Sequence, residues 1–160
     1  MPEPALTVLG FDYGTRRVGV AVGQTVSKTA RPLTTVAPGH WTKISRLLEE
    51  WKPAFTVVGD PLQMDGNRTH TTRAARRFAR QLAGRYGLQV VLWDERLTSR
   101  EAATINAADL DATAASLILE SWLNRGGAIA SAAPDHGREP GRKFQPLSPS
   151  SKHGTKRYVM

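Results

Sequence analysis

Apolar and polar positions change period along this chain, and each change marks an element. Leu6–Phe11 is a short apolar run that closes on Asp12, which predicts a buried strand. Tyr13-Gly14-Thr15 supplies a turn, and Arg17–Val22 then alternates with apolar and glycine positions. This predicts a second strand forming a hairpin with the first. Ala30–Val36 predicts a third strand, with Pro32 near its start, where a missing N–H is tolerated. Trp41, Ile44, Leu47, Leu48 and Trp51 fall at helical spacing until Lys52-Pro53 stops them. Phe55–Val58 reads as a fourth, buried strand, closed by Gly59-Asp60-Pro61, and Leu62–Thr71 as a polar loop around Asp65-Gly66-Asn67. Thr72–Tyr86 predicts a helix with Ala75, Phe78, Ala79 and Leu82 on one face. Arg73, Arg76, Arg77, Arg80 and Arg85 lie elsewhere around it, as a solvated face. Leu88–Trp93 is the fifth strand, ending at Asp94-Glu95-Arg96. Ser99 caps a short helix through about Ala107, and Asp109 or Asp111 caps a last helix that carries Ala114, Ala115, Ile118, Leu119 and Trp122.

Three consecutive strands suit an antiparallel meander, and the strand–helix alternation that follows suits parallel strands joined by right-handed crossovers. The expected fold is α/β: one mixed five-stranded sheet, three strands antiparallel and two parallel, with helices on both faces. The composition changes after Ala133. The segment from Pro134 to Met160 carries six basic residues against Asp135 and Glu139, with almost no apolar periodicity. Residues 1–127 are therefore expected to form one domain, and 128–160 a flexible basic tail too poor in apolar area to offset its ordering entropy.

The 160 residues, 40% of them hydrophobic, are enough for one core and exclude a wholly disordered chain. Cysteine is absent, which excludes a disulfide scaffold, thiolate zinc and a cysteine nucleophile. No apolar run approaches the roughly 20 residues that span a bilayer, and the N-terminus lacks the basic region of a secretory signal. These features predict a cytoplasmic protein that is not in a membrane. The balance of 22 basic to 14 acidic residues gives a net charge of +8, which favours a polyanionic partner such as nucleic acid.

Acidic residues recur where strands end: Asp12, Asp60, and the pair Asp94 and Glu95; Asp111 opens the last helix. Sites on open parallel sheets gather beyond the carboxyl ends of strands. If the first, fourth and fifth strands run parallel, these carboxylates share one edge. Grouped carboxylates repel unless protons or cations neutralise them, and hard oxygen donors select Mg²⁺ or Mn²⁺. Such ions activate water against a phosphodiester, while basic surroundings hold the backbone of the nucleic acid. Each acid also has an ordinary reading: Asp12 as a turn residue, Asp60 as a loop signal, Asp94 and Glu95 as loop or helix-entry acids, and Asp111 as a cap. Arg16 and Arg17, after the first turn, and Arg96, beside Glu95, are suited to grip phosphate or to pair with the acids.

Leu9-Gly10-Phe11-Asp12-Tyr13-Gly14-Thr15-Arg16-Arg17-Val18-Gly19-Val20-Ala21 resembles the opening motif of the YqgF family. That family is also described as Holliday junction resolvases or pre-16S rRNA nucleases. Val57-Val58-Gly59-Asp60-Pro61-Leu62-Gln63-Met64-Asp65-Gly66, Asp94-Glu95-Arg96-Leu97-Thr98-Ser99 and Asp111-Ala112-Thr113-Ala114-Ala115 continue the resemblance in order, over about residues 6–124. The resemblance implies an RNase H-like fold and a metal-dependent nuclease. Its acidic positions fall on Asp12, the Asp94–Glu95 pair and Asp111. Glu95 is favoured as the metal ligand beside Asp12 and Asp111, with Asp94 orienting Arg96 or capping the next turn. Two departures stand out: Asp60 replaces a residue that is usually apolar, so that it either adds a metal contact or faces solvent, and the segment between Glu101 and Asp111 is short.

No Gly-x-Gly-x-x-Gly or phosphate-loop pattern is present, and 160 residues leave no room for the second lobe of the ATPases that share this fold. His40, His70, His136 and His153 show no ligand spacing and read as surface residues. The leading expectation is a nuclease acting on the 5′ end of pre-16S rRNA. The alternatives are resolution of branched DNA and a non-catalytic RNA- or ribosome-binding module. The chain is expected to be a monomer or a homodimer.

Overall fold

Four turn or loop signals separate the strands, and they place five of them in one sheet. The structure, a computed structural model, describes residues 4–98, 107–125 and 143–144. β1 (Thr7–Tyr13) and β2 (Val18–Gln24) pair antiparallel across a turn in which the Gly14 N–H donates to the Arg17 carbonyl at 2.9 Å. β3 (Ala30–Val36) pairs antiparallel with β2, with a register shift at Val20/Ala21, close to the partner position of Pro32. β4 (Phe55–Asp60) lies parallel to β1, and β5 (Val90–Asp94) parallel to β4. The expected mixed sheet of three antiparallel and two parallel strands is present. A sixth strand, β6 (Lys143–Phe144), extends the β5 edge to give the order β3-β2-β1-β4-β5-β6. It comes from the segment expected to be a tail; the rest of 126–160 lies outside the described residues.

The crossovers carry the helices α1 (Trp41–Trp51), α2 (His70–Tyr86) and α3 (Ala107–Arg125). α1 ends where Lys52 takes a left-handed conformation before Pro53. His40 is exposed, and its Nδ1 caps the N-terminus of α1 by accepting from the Lys43 N–H. Thr69 and Thr72 form a reciprocal capping box at the start of α2, two residues before the expected boundary. The Thr72 hydroxyl also donates to the Pro61 carbonyl, tying the helix start to the end of β4. α3 begins at Ala107, so Asp111 stands inside the helix and is not its cap. The short helix expected from Ser99 lies outside the described residues up to 106.

Strand side chains alternate between the two faces of the sheet. On one face Phe11, Val20, Val58 and Leu92 meet Ile44 of α1 and Phe78 and Leu82 of α2. On the other, Val8, Ala21, Val57 and Trp93 meet Ala115, Ile118, Leu119 and Trp122 of α3. Among the described residues, no helix is long and apolar enough to cross a membrane.

Candidate active site

Asp12 lies one residue from the end of β1, opposite Gly19 of β2. On its other side Phe11 pairs with Val58, so Gly59 comes level with Asp12 on β4. Val8 packs on the α3 face and a side chain at Gly10 would point into α3, so the alternation puts Asp12 on that face as well. The glycines around it have a packing reason. A Cβ on Gly19 would run into the backbone carbonyl of Asp111. A Cβ on Gly10 would stand 2.9 Å from the Cβ of Leu119 and 3.3 Å from the Ala115 carbonyl. Asp111, Ala115 and Leu119 are four residues apart, so one stripe of α3 rests directly on strand backbone. This close approach holds Asp111 over the position opposite Asp12.

Glu95 reaches the same face from the other side. A Cβ on Gly59 would lie 2.5 Å from the Glu95 Oε2 and 2.7 Å from the Ile118 Cδ1, so the carboxylate of Glu95 rests over that glycine. Glu95 opens a single 3-10 turn, Glu95–Leu97, that is held at both ends. Asp94 accepts from the Arg96 N–H at 2.9 Å at its start. At its end the Leu97 carbonyl accepts from Arg125 at 2.8 Å and from the Ser121 hydroxyl at 3.2 Å, and Ser121 in turn accepts from the Trp93 indole N–H at 2.8 Å. Asp12, Glu95 and Asp111 therefore share one face at one edge of the sheet, all of them half-buried.

Asp94 and Asp60 share that edge but not that face. They are register partners on β4 and β5, two residues beyond Val58 and Leu92, which belong to the α1/α2 side. Each has its own arginine. Arg76 donates to both oxygens of Asp60, at 2.8 and 2.7 Å, and Arg96 donates to Asp94 through Nε and Nη2, the latter at 2.7 Å. Burial alone raises the pKa of Asp94, but hydrogen bonds from the Arg96 side chain and backbone, with the charges of Arg96 and Arg76, outweigh it and hold the carboxyl below its ordinary value. The hydrogen bond to Asp60 raises the pKa of Arg76, and that to Asp94 raises the pKa of Arg96. Arg96 also donates to the Met64 carbonyl at 3.3 Å, joining the quartet to the loop after β4.

Asp60 neither faces solvent nor shares the face of Asp12, Glu95 and Asp111, but is 6% exposed and bound to Arg76. Arg76, in turn, is not part of a merely solvated face. Periodicity missed this pair because its partners lie 16 residues apart on different elements. The glycine positions carried a readable signal, since Gly10, Gly19 and Gly59 occupy strand positions where a packed sheet normally offers side chains.

Arg17 donates from Nε to Asp111 Oδ2 at 2.6 Å, and Arg16 is exposed in the preceding turn. Three carboxylates on one face are hard oxygen donors suited to Mg²⁺ or Mn²⁺. As placed, however, no group of three or more His, Asp or Glu among the described residues is arranged to hold a metal ion, and Asp111 is turned to Arg17. The donor chemistry of Asp12, Glu95 and Asp111 suits a hard cation, and Asp111 is held by Arg17.

Known proteins resemble this chain in sequence and in fold. The family model described as "RuvX: Holliday junction resolvase" matches residues 6–125. A protein of Hahella chejuensis named "Putative pre-16S rRNA nuclease" is 47% identical, over 73% of this chain and 83% of its own length. One of Proteus mirabilis with the same name is 42% identical, over 74% of this chain and 96% of its own length. Among solved structures, Thermus thermophilus RuvC in complex with a Holliday junction substrate aligns with a TM-score of 0.50 at 15% identity, covering 76% of this chain and 96% of that one. At that identity the likeness concerns the fold.

Proposed function

The chain belongs to the RuvX family, also called YqgF, and from that premise we propose that it is a nuclease hydrolysing phosphodiester bonds, with the 5′ end of pre-16S rRNA as its substrate. The observation that carries this reading is the meeting of Asp12, Glu95 and the Asp111 segment on one face, over two glycines. Asp12 is the fixed member, since its strand is paired on both sides. Glu95 is held by the two ends of its turn. Asp111 moves from Arg17 into the cluster, an exchange with a low cost because the Arg17 side chain is 44% exposed. Asp12, Glu95 and Asp111 would hold a divalent cation, which would supply positive charge to polarise a phosphate oxygen and lower the pKa of water. Arg17, once released, and Arg16 donate to non-bridging oxygens of the bound strand. Arg96 does the same through the N–H groups that Asp94 and Met64 leave unused, and Asp94 acts as its positioning residue.

Branched DNA is the second reading, favoured by the description of the family as resolvases. Both substrates are tested together with Mg²⁺ or Mn²⁺, using the natural sequence and Asp12→Asn. The expected result is cleavage of the pre-rRNA at its 5′ end, reduced at least about 100-fold by the substitution, since even residues that only support metal ligands cost 10–100-fold. Equal cleavage by the two proteins refutes the assignment of the site. Cleavage of the four-way junction alone moves the substrate to DNA.

A further inference from the structure

The arginines of α2 have an arrangement that the helix itself disfavours. α2 contains five arginines and no Asp or Glu. Arg73, Arg76, Arg77 and Arg80 project within one flank about 100° wide, while Arg85 is on the other side, stacked 4.2 Å from the ring centre of Trp41. Like charges three and four residues apart destabilise a helix by a few tenths of a kcal/mol per pair. Arg73 also lies at the N-terminal end, where the macrodipole disfavours a cation. α1 shows the usual alternative: Lys43 and Arg46 are followed by Glu49 and Glu50 on the same helix.

The flank has a defined direction. Its margin nearest the core is Arg76, which is bound to Asp60 at the end of β4 and whose charge acts on Asp94. Arg76 thereby links the flank to the Asp60 and Asp94 pairs and so to Arg96, while Arg73 and Arg77 stand on the exposed side of the helix. Asp60 and Asp94 are already matched by Arg76 and Arg96, so the exposed Arg73 and Arg77 add excess positive charge. A ligand that supplies closely repeated negative charge reverses the penalty these residues impose, and guanidinium forks suit phosphate.

We infer that the Arg73–Arg77 flank of α2, continuous with Arg96, is a docking strip for the phosphodiester backbone of the nucleic-acid strand entering the candidate active site. This extends the nuclease reading and rests on it for the direction of the strand. The test measures binding without turnover, so that it stands apart from cleavage. The full chain in EDTA is titrated into a short fluorescein-labelled oligouridylate at several salt concentrations, with fluorescence anisotropy as the readout. Arg73→Gln/Arg77→Gln weakens binding about tenfold and lowers the slope of log affinity against log salt by about 1.4, the value for two lost phosphate contacts on a single strand. Lys43→Gln/Arg46→Gln removes the same charge from α1 and leaves both nearly unchanged. The α2 variant melts no lower than the natural protein, because it relieves like-charge repulsion.

Equal weakening by the two double variants overturns the proposal in favour of overall charge. Loss of affinity for phosphatidylglycerol vesicles with RNA binding intact overturns it in favour of a membrane. In the unmodified protein, the oligouridylate shields Arg73 and Arg77 from phenylglyoxal; unchanged modification of both also overturns the strip. A strip that fails while Asp12→Asn still abolishes cleavage leaves the nuclease reading standing.

Discussion

Two groups of acids and arginines occupy the same edge of one sheet, on opposite faces, and their ion pairs differ in exposure. On the α1/α2 side, Asp60 and Asp94 have side chains only 9% exposed, and each accepts from more than one guanidinium nitrogen. On the α3 side, Asp111 is 28% exposed and is held by an arginine that is itself 44% exposed. Asp94 and Glu95 are neighbours in sequence, yet they fall into different groups because the pleat sends one to each side as the strand passes into a turn. Residue type and position at a strand end therefore do not make a reactive site. The face decides which carboxylates stand together, and exposure separates the Arg17–Asp111 pair from the two more buried pairs.

The sharpest way to break the contrast is to move α3. Gly19→Ala places a methyl group where the Asp111 carbonyl now stands, and the three nearest atoms, on Asp111 and Ala112, are all backbone. Overpacking of this kind costs about 1–3 kcal/mol. The helix start must shift, and a displacement of about 1 Å at a reacting group lowers turnover about 100-fold. The quartet on the other face is untouched. Melting and cleavage measured on the same variant check this, and full cleavage by a folded Gly19→Ala protein shows that the position of Asp111 is immaterial.

The fold was legible because its signals are local. Apolar runs, the Pro53 stop and the alternation of strand with helix in Phe55–Trp93 place five strands and two helices nearly at their observed limits. The candidate site was legible as a set of acids at strand ends, and the motif resemblance singled out Asp12, Glu95 and Asp111 among them. Which face each acid takes was not legible. That depends on register: Asp60 opposite Asp94, Gly19 opposite Asp12. The Asp60–Arg76 pair depends on how α2 is rotated over β4, a tertiary property that periodicity does not carry. Asp109 and Asp111 both look like caps in sequence, whereas α3 begins at Ala107 with both inside it.

Breaking the quartet sharpens the contrast from the other side. Asp60→Asn leaves Arg76 without its charged partner. Loss of a buried pair costs about 3–5 kcal/mol, and the partial exposure of Arg76 reduces this to about 2 kcal/mol. Cleavage by the folded variant stays within a few-fold, the reverse of the Gly19→Ala pattern. Asp94 adds a pH signature. Its folded pKa lies below the ordinary 3.8, so its contribution to stability is fully present above that value and is lost as pH falls through the lower folded value. Denaturant melts of the natural protein and Asp94→Asn therefore differ by a constant amount above about pH 5 and converge below pH 3.8. A gap that persists unchanged in strong acid means that the pair with Arg96 is not its source.

The smallest effect belongs to Arg17. Exposed ion pairs contribute about 0–1 kcal/mol, so Arg17→Gln leaves the melting temperature almost unchanged. Its consequence lies in competition. With the guanidinium gone, Asp111 needs no exchange before it joins Asp12 and Glu95, so the Mn²⁺ concentration for half-saturation falls a few-fold in calorimetric titration of the protein alone. The KM for nucleic acid rises in the same variant, because the released arginine no longer meets phosphate. Opposite shifts in these two quantities identify Arg17 as the exchangeable partner of Asp111. If both constants stay at their natural values, the Arg17–Asp111 pair is as static as the quartet, and the difference between the two faces reduces to exposure.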